Sequence, residues 1–250
     1  MLKVQNVCSA YDGREILHKV NLSIEPGKVT VLAGPNGCGK STLLKTMMGM
    51  IEKTDGKIWV EGNAIESYKP EDLAKKIAYL PQNRNVPDIT VKRMVLHGRF
   101  PYLKYPRRYR PIDVEIAEKA IRQVGMETYM YKNMHQLSGG MQQKVYIAMA
   151  LAQDTPVIMM DEPTSFLDIV YQMKLMEISR ELASQGKAVI LVLHDIAMAM
   201  RTADRIVVLK DGYIKGNGNP EEVFESGVLD EVFGLKLKRV ETEEGWQYYF

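Results

Sequence analysis

Val20, Leu22 and Ile24 alternate with polar neighbours, the two-residue period of a half-buried strand. Leu2 and Val4 predict another strand ahead of a turn at Tyr11-Asp12-Gly13. VTVLA at 29–33 is a short, apolar, β-rich run ending at a glycine and reads as a buried strand. It leads into GPNGCGKST at 34–42, after which Leu43, Leu44, Met47 and Met48 share one helical face and Gly49 supplies a stop. KIWVEG at 57–62 returns to strand. Farther on, Val114, Ala117, Ile121 and Val124 fall at helical spacing and VYIAMALAQ at 145–153 reads as helix. VIMM at 157–160 and AVILVL at 188–193 predict two more buried strands on either side of a helix at 169–184. RIVVLKDGYIKGNG at 205–218 predicts a hairpin around Asp211-Gly212.

Short runs of Val, Ile, Leu and Met separated by helices imply an α/β protein with a mainly parallel sheet covered on both faces. The stretch 84–111 breaks this rhythm, with four prolines and little clear period. The predicted layout is a single domain: residues 1–84 and 155–250 form the α/β core, interrupted over about 85–154 by a helical insertion.

Composition narrows the class. The chain has 250 residues, 46% hydrophobic and 26% charged, with 33 Lys and Arg against 31 Asp and Glu. A net charge of +2 excludes a protein that coats nucleic acid through bulk charge, and the apolar fraction excludes disorder. The apolar runs are far shorter than the roughly 20 residues of a spanning helix. The N-terminus lacks a basic segment followed by a long apolar one, so no secretory signal is expected. Two cysteines, Cys8 and Cys38, are too few for a disulfide framework, which predicts a reducing, cytoplasmic compartment. His18, His97 and His135 fit no metal spacing. Residues 84–111 are locally basic, eight Lys or Arg against one Asp, with Phe100, Tyr102, Tyr105 and Tyr109 interleaved. Such a run suits a nucleic-acid groove, anionic headgroups or an acidic partner.

Gly34-Pro35-Asn36-Gly37-Cys38-Gly39-Lys40-Ser41, followed by Thr42, matches G-x-x-x-x-G-K-[ST] between a buried strand and a helix. Glycines let the backbone curl so that successive N–H groups face phosphate oxygens, and the helix adds its positive end. Lys40 supplies a mobile charge to the β- and γ-phosphates, and Ser41 a hydroxyl to Mg²⁺. Cys38 reads as a small residue filling a loop position. VIMMDE at 157–162 then ejects Asp161 and Glu162 from the end of an apolar strand, a costly arrangement unless a metal or a reacting water needs them. Asp161 is placed to hold Mg²⁺ through its water shell and Glu162 to polarise the attacking water.

With Leu137-Ser138-Gly139-Gly140-Met141 just before that strand, the chain resembles the ATP-binding cassette (ABC) ATPases. The order of motifs agrees along nearly the whole chain: Tyr11, the phosphate loop, Gln82 in YLPQN, LSGGM at 137–141, MMDEP at 159–163, SFLD at 165–168 and His194. The resemblance implies a P-loop NTPase core with an N-terminal antiparallel β subdomain. It implies that Tyr11 stacks on adenine, that Gln82 touches Mg²⁺ or the water, and that His194 contacts the γ-phosphate. It also implies that Ser138, Gly139 and Gly140 bind the γ-phosphate of a second subunit and that Asp168 crosses the seam of a homodimer holding ATP. Met141 stands where the family usually has Gln, Lys144 carries the following basic charge, and Phe166 occupies a position where a small residue is common.

Within that family, one cassette without fused membrane spans implies the ATPase subunit of a transporter, with integral membrane permease subunits as partners and a substrate-binding protein acting indirectly. It would sit on the cytoplasmic face of the membrane. GRFPYL at 98–103 resembles a stretch of the cassettes that serve iron–siderophore, haem and cobalamin importers. Cassettes of zinc or manganese importers, of exporters, and soluble nucleic-acid-acting members are the alternatives, and no nucleic acid is expected as a partner.

Overall fold

The computed structural model describes residues 1–11, 13–82, 84–243 and 245–250. Asp12, part of the turn expected after the first strand, and Asn83, beside Gln82, lie outside them. The chain groups into two compact units, Met1–Tyr68 with Ser179–Phe250, and Lys69–Ile178.

The first unit opens with β1 (Leu2–Tyr11) and β2 (Arg14–Ile24), an antiparallel pair with Leu2 opposite Ile24 and Val4 opposite Leu22. The alternation read from the sequence is the alternation buried: Leu2, Val4, Val20, Leu22 and Ile24 all face inward. Next come β3 (Val29–Ala33), every residue buried, and α1 (Lys40–Met47), ended by Gly49 at φ +69. β4 (Lys53–Val60) pairs with β1, and the short β5 (Asn63–Ala64) with β4.

The second unit holds α2 (Pro70–Leu73), β6 (Ile77–Leu80), α3 (Val91–Leu96), α4 (Pro111–Gln123), α5 (Gly139–Ala152) and β7 (Val157–Asp161). β6 and β7 run parallel, with Leu80 beside Met160. α6 (Ile169–Ser184) carries the chain back to the first unit. There β8 (Ala188–Val192) and β9 (Arg205–Lys210) flank β3 in parallel, with α7 (Ile196–Thr202) between them. β10 (Tyr213–Gly218) closes the expected hairpin antiparallel to β9. α8 (Pro220–Glu225), α9 (Val228–Phe233) and the hairpin β11 (Lys238–Thr242) and β12 (Gly245–Tyr249) finish the chain. Val223, Leu229, Val232 and Tyr248 from this last part join Ile206 and Val208 of β9 in one core cluster.

The stretch without period at 84–111 contains α3, whose Val91, Met94 and Val95 are buried, and a 3₁₀ turn at His97–Tyr102. Six residues are too few to display a helical period. The 3₁₀ turn shows why GRFPYL has its residue types. A Cβ on Gly98 would lie 2.3 Å from the Met149 carbonyl oxygen, so only glycine lets this segment approach α5. Arg99, 5% exposed, donates to the Ala152 carbonyl at the end of α5 and stacks 4.0 Å over Tyr102. Its Nε also donates to Asp113, a fully buried carboxylate in the first turn of α4. Arg110 completes the group through its backbone N–H and guanidinium, 2.9 to 3.2 Å from the same carboxylate. Gly98 and Arg99 therefore face inward, and Phe100, nearly half exposed, faces out with Arg107 stacked on it. Lys92 pairs with Glu118, so much of the basic run finds its partner within the unit.

The Arg110 hydrogen bonds hold the Asp113 carboxyl at a pKa of about 2 despite burial. Its folded value lies below the unfolded one, so the stabilisation is complete above about pH 4 and is lost as pH falls through about 2. Asp113→Asn leaves the buried Arg99 without its counter-charge and should destabilise the protein by about 3 kcal/mol at pH 7. Thermal unfolding of the two proteins should differ at neutral pH and converge toward pH 2. A gap that is unchanged at low pH would show that the ion group is not its source.

Candidate functional site

The phosphate loop leaves β3, whose apolar residues are all buried, and turns at Gly34, where an added Cβ would lie 2.2 Å from the Leu209 carbonyl oxygen. Gly39 sits at φ +106 directly before α1, with Leu17 and Ile16 of β2 against it. No side chain caps α1, so the N–H groups of its first turn face the loop without a competitor. Lys40 is 6% exposed and its ammonium donates to the Gly34 and Pro35 carbonyls, both at 2.8 Å. The charge is thus held at the loop on a flexible stem. Ser41 and Thr42 follow in the first turn, both half-buried, with Asn36 and Gly37 exposed on the loop. Cys38 is buried beside the loop, and burial pushes its thiol above the ordinary range, against the pull of Lys40. It is a packing residue with little thiolate character.

Two further residues of the first unit lie at strand ends. Tyr11 ends β1 opposite Arg14 and keeps 60% of its surface exposed, an open ring rather than a core aromatic. His194 is exposed two residues beyond β8, just before Asp195, which caps α7 by accepting from Met198 N–H at 2.9 Å.

In the second unit β7 delivers Asp161 buried, 1% exposed, at the end of four buried apolar residues. Tyr79 of β6 donates its hydroxyl to Asp161 Oδ2 at 3.3 Å. Burial and the adjacent negative charge push the Tyr79 phenol well above its usual range, so it remains a donor at all physiological pH. Glu162 follows at φ +51, a left-handed conformation costly for a residue with a Cβ. The turn swings its carboxylate to Gln82, whose Nε2 donates to Oε2 at 2.5 Å. Pro163, next in line, accepts through its carbonyl from the buried Gln143 of α5 at 2.7 Å.

The LSGGM segment forms the start of α5. Ser138 is its N-cap, accepting from Met141 N–H at 3.4 Å, and Gly139 has open space where a Cβ would be. A Cβ on Gly140 would come within 2.8 Å of the Phe166 carbonyl oxygen, so the second glycine lets the signature lie against SFLD. Asp168 caps α6, accepting from Tyr171 N–H at 2.9 Å, while Phe166 at φ +66 leaves 82% of its surface exposed. Lys144 rests 3.8 Å from the centre of the Tyr171 ring.

Within the first unit, then, the phosphate-loop residues Gly34 to Thr42 form one turn and Tyr11 and His194 lie at the ends of strands. Within the second, Gln82, Asp161 and Glu162 are drawn together, and Ser138 to Gly140 meet the segment carrying Asp168. Tyr79 and Gln143 were not read from the sequence. The aromatic in the apolar run IAYL was the one available signal for Tyr79, and the inward face of the helix for Gln143.

A family model described as ABC transporter matches residues 17–165. The petrobactin import ATP-binding protein FpuC of Bacillus anthracis is 40% identical over 239 residues, 95% of this chain and 88% of that protein. The iron(3+)-hydroxamate import ATP-binding protein FhuC of Bacillus subtilis (strain 168) is 38% identical over 241 residues, 96% of this chain and 90% of that one. Among solved structures, the dimeric post-hydrolysis state of the ATP-binding cassette MJ0796 bound to ADP and Pi superposes with a TM-score of 0.77 at 31% identity, covering 88% of this chain and 99% of that chain. By motif order, fold and these likenesses together, the chain belongs to the ABC transporter family and is an ATP-hydrolysing subunit of it.

Proposed function

We propose that this chain powers a membrane importer of iron–siderophore or related metal chelates, as a homodimer of cassettes beneath integral permease subunits on the cytoplasmic face of the membrane. A substrate-binding protein would supply cargo to the permease. The observation that carries the ATPase mechanism is the strained turn that ends β7, with Asp161 buried and the Glu162 carboxylate held by Gln82. Glu162 would act as general base on the attacking water, with Gln82 and His194 orienting the reacting groups. The phosphate-loop amides from Gly34 to Thr42 and the Lys40 ammonium would bind the nucleotide's phosphates, and Tyr11 would stack on adenine. Ser138, Gly139 and Gly140, with Asp168, would close on the nucleotide of the second subunit.

Mg²⁺ fits the chemistry of the donors. Among the described residues no three His, Cys, Asp or Glu side chains gather as a cage. A hard cation that keeps much of its water and leans on phosphate oxygens needs no cage, only a carboxylate and neutral oxygens. Asp161, Ser41 and Gln82 would supply these, and the ion would neutralise charge on the phosphates. No described helix is long and apolar enough to cross a membrane, which suits a subunit docked to a separate permease. The permease would meet the helical insertion over about 85–154.

Glu162→Gln should retain Mg-ATP binding and lose hydrolysis by about 10²–10⁴, because the ground-state contacts stay while the base is removed. Equilibrium binding and steady-state turnover measured on one preparation check this, and turnover within tenfold of wild type would remove the assignment. A shared site makes a second prediction. Mixing a Lys40→Ala protein with a Ser138→Arg protein leaves one intact and one doubly damaged site per mixed dimer. Activity should rise above either variant alone and stay below wild type, whereas no complementation at any ratio would mean that sites are not shared.

The cargo follows from the likeness to the petrobactin and iron(3+)-hydroxamate relatives and from GRFPYL. A strain lacking the gene should grow poorly on iron supplied only as ferric siderophores, with radiolabelled chelate uptake reduced. Haem and cobalamin uptake, measured in parallel, distinguish the neighbouring cargo classes. Normal uptake of all three beside a defect in efflux or zinc uptake would leave the ATPase standing and remove the cargo.

A further inference from the structure

The two loops that carry Gln82 and Glu162 both rest on one face of α5. Gln143 holds the Pro163 carbonyl at 2.7 Å, one residue from Glu162. Three residues on, Tyr146, 5% exposed, donates its hydroxyl to the Asn85 carbonyl at 2.8 Å, three residues from Gln82. Positions three apart lie on the same side of a helix, so one face meets both loops. Arg84 closes the arrangement. Its Nε donates back across the Gln82 turn to the Pro81 carbonyl at 2.6 Å, and its guanidinium lies 4.6 Å from the Tyr146 ring centre.

Stability gives little reason for a guanidinium here. Among the described residues its buried Nη1 finds no hydrogen-bond partner, and the groups beside it are the neutral phenols of Tyr146 and Tyr79. An unmet buried donor is destabilising. What Arg84 does supply is a rigid plane that stacks on an aromatic ring while bonding the turn before it, which a lysine cannot reproduce.

We infer that Arg84, Tyr146 and Gln143 are positioning residues through which α5 sets the Gln82–Glu162 pair of its own subunit. This rests on the reading of Glu162 as general base given above. α5 begins at Ser138 and rises about 12 Å to Tyr146. A continuous helix moves as a rod, so a displacement of its Ser138 end, where the second subunit's nucleotide would bind, shifts the loops at Gln143 and Tyr146 with it. The helix would thus make the base of one site respond to the nucleotide of the other.

Positioning acts on the transition state, so the expected signature is a fall in kcat with KM for ATP preserved. Arg84→Lys keeps the charge and removes the planar stack, and Tyr146→Phe keeps the ring and removes only the bond to Asn85. Each should lower kcat of the purified full chain about tenfold, with KM for ATP within about twofold of wild type. The double variant should lose little more than the worse single one, because both cut the same link. Tyr146→Phe changes one oxygen atom and thermal unfolding of every variant is measured alongside, so misfolding of Arg84→Lys leaves the second variant to decide. Turnover within twofold of wild type in Tyr146→Phe, with Glu162→Gln inactive, overturns the link alone, as do losses that multiply in the double variant. Full turnover in Glu162→Gln instead removes the base and with it the reason for the link.

Discussion

A carboxylate at the end of a wholly apolar strand faces the desolvation cost of its own charge, and Asp161 meets that cost at the close of β7. The strand must be apolar to lie in a core, yet it ends in a buried acidic side chain. The Tyr79 hydroxyl from the neighbouring strand offsets part of the cost, which requires β6 and β7 to run parallel and in register, Tyr79 beside Met159. That register also brings the end of β6, and Gln82 just after it, level with the end of β7. The Gln82–Glu162 contact is therefore a consequence of strand pairing, reinforced by the left-handed conformation of Glu162.

The helical part of the same unit is built around a second charge, Asp113. It ties the start of α4, the 3₁₀ turn and the end of α5 through two arginines. Here the charges are paired among themselves, and they fix the helices relative to one another. The contrast with Arg84 is instructive. Arg99 has a carboxylate, a helix-end carbonyl and an aromatic plane, whereas Arg84 has, among the described residues, a carbonyl and an aromatic plane. The first arrangement is what stability alone produces, and the second needs another reason.

Legibility in the sequence followed the length scale of each feature. β3, β7 and β8 were readable because short, almost wholly apolar and β-rich runs of four or five residues have few other uses. α4 was readable because Ala117, Ile121 and Val124 complete two turns of one buried face. α3, α8 and α9 have six residues each, less than two turns, and display no period. The phosphate loop and LSGGM were legible because their chemistry is local. The Gln82–Glu162 bond joins residues eighty positions apart and the Gln143–Pro163 bond twenty, so each depends on which strands and helices end side by side. GRFPYL was visible only as a resemblance. Its glycine and arginine acquire a physical reason from the Met149 and Ala152 carbonyls they approach.

α5 shows how one helix serves opposite demands. Its first turn has Ser138 as cap and two glycines, the second pressed against the Phe166 carbonyl, where a side chain would not fit. Glycine weakens a helix, by about 1 kcal/mol relative to alanine. The remainder restores it, with Val145, Ile147, Ala148 and Ala152 fully buried and Gln143 and Tyr146 spending their polar atoms on loop carbonyls. The glycine-bearing end thus continues into a well-packed helix, whose polar atoms hold the loops that bear Gln82 and Glu162. A helix packed only by apolar contacts could slide by a fraction of an ångström without penalty. Directional hydrogen bonds at 2.7 and 2.8 Å oppose such sliding, and they tie α5 to both loops at once.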